Sequence, residues 1–198
     1  MLMRDLKDYR LRWDSVLSIK NRLIFIVVIT VALYCLLYIA STVPFSSEEV
    51  ASLLEEAEKI LRQRYTILDI FINNFLISLI MFVPVAGPII GGYVIYTTGR
   101  LIGALSLSTG IPSILLISMT IITFYGFIEF LAYGTAFTES MILTYSMFKR
   151  KTRIELKWLI ISISATAVLL LIAAVLEYML IQFFGQVYPR LEELTAQI

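Results

Sequence analysis

The stretch TFYGFIEFLAYG, residues 123–134, puts a carboxylate, Glu129, inside a run otherwise suited to lipid, with no Lys or Arg within ten positions on either side. It belongs to a segment from Pro112 to Phe148 that would measure roughly 55 Å as one straight helix, against a hydrocarbon core about 30 Å thick. Such a rod has to bend, tilt or break. Gly126 is the expected break, separating a short arm from a longer one, and Gly134 is a second weak point. Backbone groups freed by a break are tolerated at membrane depth only when buried in protein or lining a cavity. The reading is therefore an all-α polytopic bundle with one broken, re-entrant helix near Gly126 and a polar interior that receives Glu129.

Composition agrees with a bundle in lipid. Hydrophobic residues make up 59% of the 198 residues and charged ones 16%, with mean hydropathy +0.87, which excludes a soluble domain. At roughly 20 residues per crossing the chain makes a single integral membrane domain of about five or six spans. A net charge of +1 gives no reason to expect nucleic acid. The one cysteine, Cys35, precludes an internal disulfide and reads as a small core hydrophobe. The absence of histidine removes the commonest general base and metal ligand, so no metal or cofactor is expected.

Residues 1–21 place Leu2, Leu6, Tyr9, Trp13 and Val16 at helical spacing, with Arg4, Lys7, Arg10 and Arg12 mostly elsewhere on the wheel, as in an interfacial cytoplasmic helix. The run before the first span is long and carries Asp5, Asp8 and Asp14, so that span reads as a retained signal anchor. The first span is 23–42, and Pro44 ends it. SSEE at 46–49 is a capping box opening an amphipathic helix over about 46–65, with Val50, Leu53, Leu54, Ala57, Ile60 and Leu61 on one face. Further membrane segments are expected at 66–83, 89–108, 112–148 (broken) and 157–184, with the turn PVAGP at 84–88 between the second and third. Along the third, Gly87, Gly91, Gly99 and Gly103 form a small-residue stripe for close helix packing, with Gly126 in the next segment. The basic loop KRKTRIELK at 149–157 places that loop and the N-terminus on the cytoplasmic side. About five net crossings follow; a six-crossing variant puts one basic element on the wrong face.

Ionisable groups within spans each need a partner or water. Counting depth from helix ends places Asp69, Asn73, Asn74 and Arg100 near one level, Glu177 near that level, and Glu129 near the midplane or below it. The candidate intramembrane polar site is Asp69, Asn73, Asn74, Arg100 and Glu129, a cleft open to the outside. The alternative is a structural network in which Arg100 pairs with a carboxylate and the asparagines join helices. Glu139 is placed near the cytoplasmic interface, outside the site.

The order of FINN at 71–74, the helix with Gly91, Gly99 and Gly103, and YGFIE at 125–129 resembles the stage II sporulation protein M family of integral membrane proteins, over about residues 66–148. Asn73 and Asn74 match that family's paired asparagines, Gly99 and Gly103 its glycines in the next span, and Gly126 and Glu129 its Pro-His-Gly-x-x-Glu stretch. Thr98 stands where the family has Asn, Phe124 and Tyr125 where it has Pro and His, and Arg100 follows the glycine. The resemblance implies a membrane partner of other proteins and no catalysis. No His-Glu-x-x-His site, serine with histidine or pair of in-span aspartates argues for an enzyme. The expected function is a non-catalytic scaffold or partner subunit of a membrane complex. Its partners are lipids, other membrane or extracytoplasmic proteins, or a second copy. The alternative is a transporter or channel component that handles a small solute or proton at Arg100 and Glu129.

Overall fold

The structure, a computed structural model, describes residues 17–61, 66–149 and 152–195, with side chains described except at 60, 61 and 184–195. The interfacial helix expected over 1–21 lies almost wholly outside the described residues. Every element is an α-helix: α1 Ile19–Thr42, α2 Ser47–Leu61, α3 Ile67–Met81, α4 Ala86–Thr109, α5 Ser113–Ile122, α6 Tyr125–Phe148 and α7 Thr152–Thr195. Among the described residues, α1 and the stretch Thr152–Phe183 are long and apolar enough to cross a membrane. The pair α4 and α5, bent by 119°, makes a third candidate. Leu23, Val27, Val28 and Val31 of α1 and Ile160, Ile161 and Val168 of α7 all face outward, a surface suited to lipid and not to water. The protein is membrane-embedded.

Ser18 starts α1 by accepting from the Asn21 amide at 3.4 Å, and α3 starts at a complete capping box between Thr66 and Asp69. At 15 residues α3 extends only about 22 Å, so it begins and ends inside the limits expected for it. The helix α4 begins at Ala86, earlier than Ile89, because Pro88 falls within its first turn, where no amide is needed. In the opposite direction, α7 begins at Thr152, ahead of the expected Lys157.

The centre of the bundle is α6, which packs along α7 and α1 and also touches α3, α4 and α5. It runs antiparallel to α1: Tyr34 meets Gly126, Thr30 lies against Gly134, and Arg22 reaches Glu139. Gly134 therefore serves close approach and does not break the helix. The glycine stripe is likewise used up inside the fold. A Cβ on Gly99 would fall 2.5 Å from the Leu37 carbonyl oxygen, and one on Gly103 the same distance from that of Ser41, so α4 lies backbone to backbone on α1.

The break falls at Phe124, two residues before the glycine expected to make it. Phe124 has φ 58°, and the Tyr125 amide donates across it to the Thr123 carbonyl at 2.6 Å. The turn between α3 and α4 repeats the device at Val85, φ 66°, with the Ala86 amide donating to the Pro84 carbonyl at 2.7 Å. Both are tight three-residue turns in a region costing a non-glycine residue about 1–3 kcal/mol. Side chains hold them in place. The Ser140 hydroxyl donates to the Val83 carbonyl at 2.6 Å, the Val85 amide donates to Thr144 Oγ1 at 3.0 Å, and the Tyr34 hydroxyl donates to the Gly126 carbonyl at 3.3 Å. Gly126 itself is helical. It is small because the Thr120 carbonyl oxygen would lie 2.5 Å from any Cβ there.

Candidate functional site

Glu129 and Tyr133 lie one turn apart on α6, so both project from the same face, and α3 brings Asn74 against them. Asn74 bridges the pair: its amide nitrogen donates to Glu129 Oε1 at 2.6 Å, and its amide oxygen accepts from the Tyr133 hydroxyl at 3.0 Å. The two ends of the amide thus read one acceptor and one donor, a role neither Asp nor Leu could fill. On α7, Glu177 lies within electrostatic reach of Glu129, Tyr133 and Tyr125. The Tyr34 ring stacks on Phe130 at 4.1 Å, and Phe130 meets Tyr133 edge-on at 6.3 Å, closing the cluster with aromatic surface. The described residues supply no ion pair to Glu129 or Glu177. Two carboxylates, three phenols and one amide gather here with no ion-paired Lys or Arg among the described residues, a set whose chemistry is that of proton or cation acceptors.

The remaining residues of the expected site lie elsewhere. The exposed Asp69 carboxylate is spent on the cap, accepting from the Thr66 amide at 2.9 Å and its hydroxyl at 2.6 Å. Asn73, next to Asn74 but turned about 100° around α3, faces outward. Arg100 forms a latch at the far end of α1. Its guanidinium donates to Glu49 at 2.7 and 3.0 Å and to the carbonyls of Val43 at 2.5 Å and Pro44 at 3.0 Å, and it lies 3.5 Å over the Phe45 ring. The capping box at Ser46 is accordingly half made: Ser46 accepts from the Glu49 amide at 3.2 Å while the Glu49 carboxylate turns to Arg100. Of the five residues expected in one cleft, the fold joins Asn74 and Glu129, commits Asp69 to a helix cap and Arg100 to a latch, and turns Asn73 outward.

A second charged cluster went unread in the sequence. Arg22 at the start of α1 donates to Glu139 on α6 and, at 2.5 Å, to Glu155 at the start of α7, all three side chains being at most 5% exposed. Trp158 covers the guanidinium at 5.2 Å. Arg22 and Glu155 sit where charges commonly mark the ends of spans, and nothing in the sequence distinguishes such a marker from a buried partner. Cys35 is exposed and free, contrary to the core position expected. Among the described residues no group of three or more His, Cys, Asp or Glu could hold a metal ion. Comparison with protein-family models, curated proteins and solved structures finds no match.

Proposed function

We propose that the chain is a multi-pass protein of the cell membrane that acts as a transporter or channel component, with Glu129 as the group that takes up and releases a proton or small cation. The observation that carries this reading is the 2.6 Å hydrogen bond from Asn74 to a Glu129 that has no ion-pair partner among the described residues. Lone carboxylates inside a bundle, beside a broken helix, are costly and mark ion or proton pathways. In the topology that goes with it, the N-terminus is cytoplasmic and α1, α3, α4, the α5–α6 pair and α7 make about five net crossings. The pairing of Arg22 with Glu155 supports this, since it brings the two basic elements to one end of the bundle. Glu129→Gln in proteoliposomes should abolish proton or cation flux while leaving thermal stability and helicity intact. Undiminished flux in that variant sinks the reading.

A second reading, a non-catalytic partner subunit, is favoured by α2. The Arg100 latch ties this helix to α4, and it presents the exposed acidic residues Glu55, Glu56 and Glu58. A membrane or extracytoplasmic protein with a basic surface would fit it. Charge reversal at Glu55 and Glu56 should release such a partner on mild-detergent purification; unaltered assembly would count against it.

A further inference from the structure

At the end of α6 away from the break, α1 and α6 part to leave an open groove of about 420 Å³, walled by Leu17 and Phe25 on one side and by Met141, Ile142 and Tyr145 on the other. The helical period of α6 shapes it. Ile142 turns inward and makes the floor, while Met141 and Tyr145 stay exposed and make the wall, with Phe25 exposed across from them. The antiparallel contact of Arg22 with Glu139 brings Leu17 and Tyr145 to about the same level, at the mouth of the groove nearest the chain segment that follows α6. From the Ser18 cap to Phe25 the α1 wall rises only about 10 Å.

That mouth is basic. Lys149, which ends α6, holds its ammonium 5.5 Å from the centre of the Tyr145 ring, and Lys20 is exposed on the first turn of α1. Within residues 17–22 and 145–149 and 152–158 the acidic side chain is Glu155, which is buried and paired with Arg22, so no exposed carboxylate there offsets the two lysines. Lipid wets every apolar face of an embedded protein; this one differs in joining a concave apolar wall to a cationic end. We propose that the groove binds one anionic phospholipid, an acyl chain lying between α1 and α6 and the phosphate held by Lys20 and Lys149. A wall of about 10 Å fits within one leaflet, about 15 Å deep, which suits an acyl chain and is too short for the spanning helix of a partner. Tyr145 then lies between chain and headgroup, where interfacial aromatic rings belong. In the topology proposed above this end faces the cytoplasm, the side on which basic pockets between membrane helices take anionic headgroups. The lipid site does not depend on the transport reading of Glu129.

Photolabelling of the delipidated full chain in detergent tests the site, with phosphatidylglycerol carrying a diazirine on one acyl chain and phosphatidylcholine carrying the same chain as the control. Labelled peptides should contain Phe25 and the stretch from Met141 to Tyr145, and the anionic lipid should be favoured roughly tenfold or more, as two lysines at a lipid headgroup allow. Lys20→Gln together with Lys149→Gln should bring the two lipids level while leaving the melting temperature without lipid unchanged, since both side chains are exposed. Equal labelling by the two lipids in the parent overturns the proposal, and that comparison needs no variant to fold. Label spread evenly over other outward faces, such as Val27 and Val168, shows ordinary lipid contact and overturns it too. So does a groove that takes no label because the N-terminal segment or a second copy covers it, which cross-linking from Phe25→Cys would reveal. Retained preference in the double lysine variant overturns the assignment of the phosphate to Lys20 and Lys149.

Discussion

Replacing Asn74 with alanine removes both hydrogen bonds of the amide at once, and their lengths say which matters more. The bond to Glu129 is 2.6 Å, short even for a charge-assisted contact, whereas the bond from Tyr133 is 3.0 Å, ordinary for neutral groups. In water-based measurements these are worth about 1.5–3 and about 1 kcal/mol respectively. Between membrane helices the measured couplings are smaller, about 0.6 kcal/mol on average and about 1.7 at most. The Asn74–Glu129 pair should fall at the upper end of that range, near 1.5 kcal/mol. A double-mutant cycle with Asn74→Ala and Glu129→Ala, read by unfolding in mixed micelles, isolates the term, because the cavity left by each truncation cancels. Glu129→Gln belongs in the same series: it keeps an acceptor for Asn74 and loses only the capacity to ionise, so it should cost less than Glu129→Ala. Additivity within about 0.5 kcal/mol would refute the placement of Asn74 against Glu129.

Arg100→Ala should free α2 from α4, raising amide exchange across residues 47–61; because Glu49 is 42% exposed, the stability loss should be only about 1–2 kcal/mol. Arg100→Lys should not restore protection, since a single ammonium cannot span Glu49 and two carbonyls. Arg22→Gln strands two buried carboxylates on different helices and should cost about 3–5 kcal/mol, visible as loss of folded yield in detergent. Gly103→Ala should cost about 1–3 kcal/mol in a thermal melt by forcing α4 off the Ser41 carbonyl and the Phe45 ring, with no change in oligomeric state. Phe124→Gly should raise the melting temperature, because a side chain 69% exposed gives up little packing while its backbone strain of about 1–3 kcal/mol is relieved; a lower value would show that the ring is needed.

What could be read from the chain followed the range of the forces involved. Helix starts at Ser46 and Thr66, the end of α1 before Pro44 and the kink region near Gly126 are local, and all fall within a few residues of where propensity puts them. Counting residues along helix axes assigned Asn74, Arg100 and Glu129 approximate levels, yet it put Asn74 with Arg100, whereas Asn74 meets Glu129 and Arg100 meets Glu49. Rotation about each axis is not fixed by such a count. One residue separates Asn73 from Asn74, and that single step turns one to the surface and the other to Glu129. Arg100, behind Gly99 on the α1 side of α4, faces the carbonyls of Val43 and Pro44 for the same reason. At the break, propensity favours glycine, yet the chain strains Phe124 and reserves Gly126 for contact with Thr120. The Arg22 cluster joins residues from opposite ends of the chain, and no local rule could have announced it.

The central position of α6 bears on how the protein reaches its bilayer. Its 24 residues are enough to cross, yet it is absent from the apolar spans, and it carries two glutamates, several hydroxyls and more buried residues than any other helix among the described side chains. A translocon that sorts segments by partition into lipid would pass over such a helix on its own, since one ionised residue at mid-depth already costs about 2.5–3.5 kcal/mol. In the topology proposed above its insertion depends on neighbours already made: α1, whose Arg22 meets Glu139, and α3, whose Asn74 meets Glu129. On that topology the central helix is seated against partners that precede it in the chain, so removing Arg22 or Asn74 should impair the entry of α6 more than that of α1 or α7.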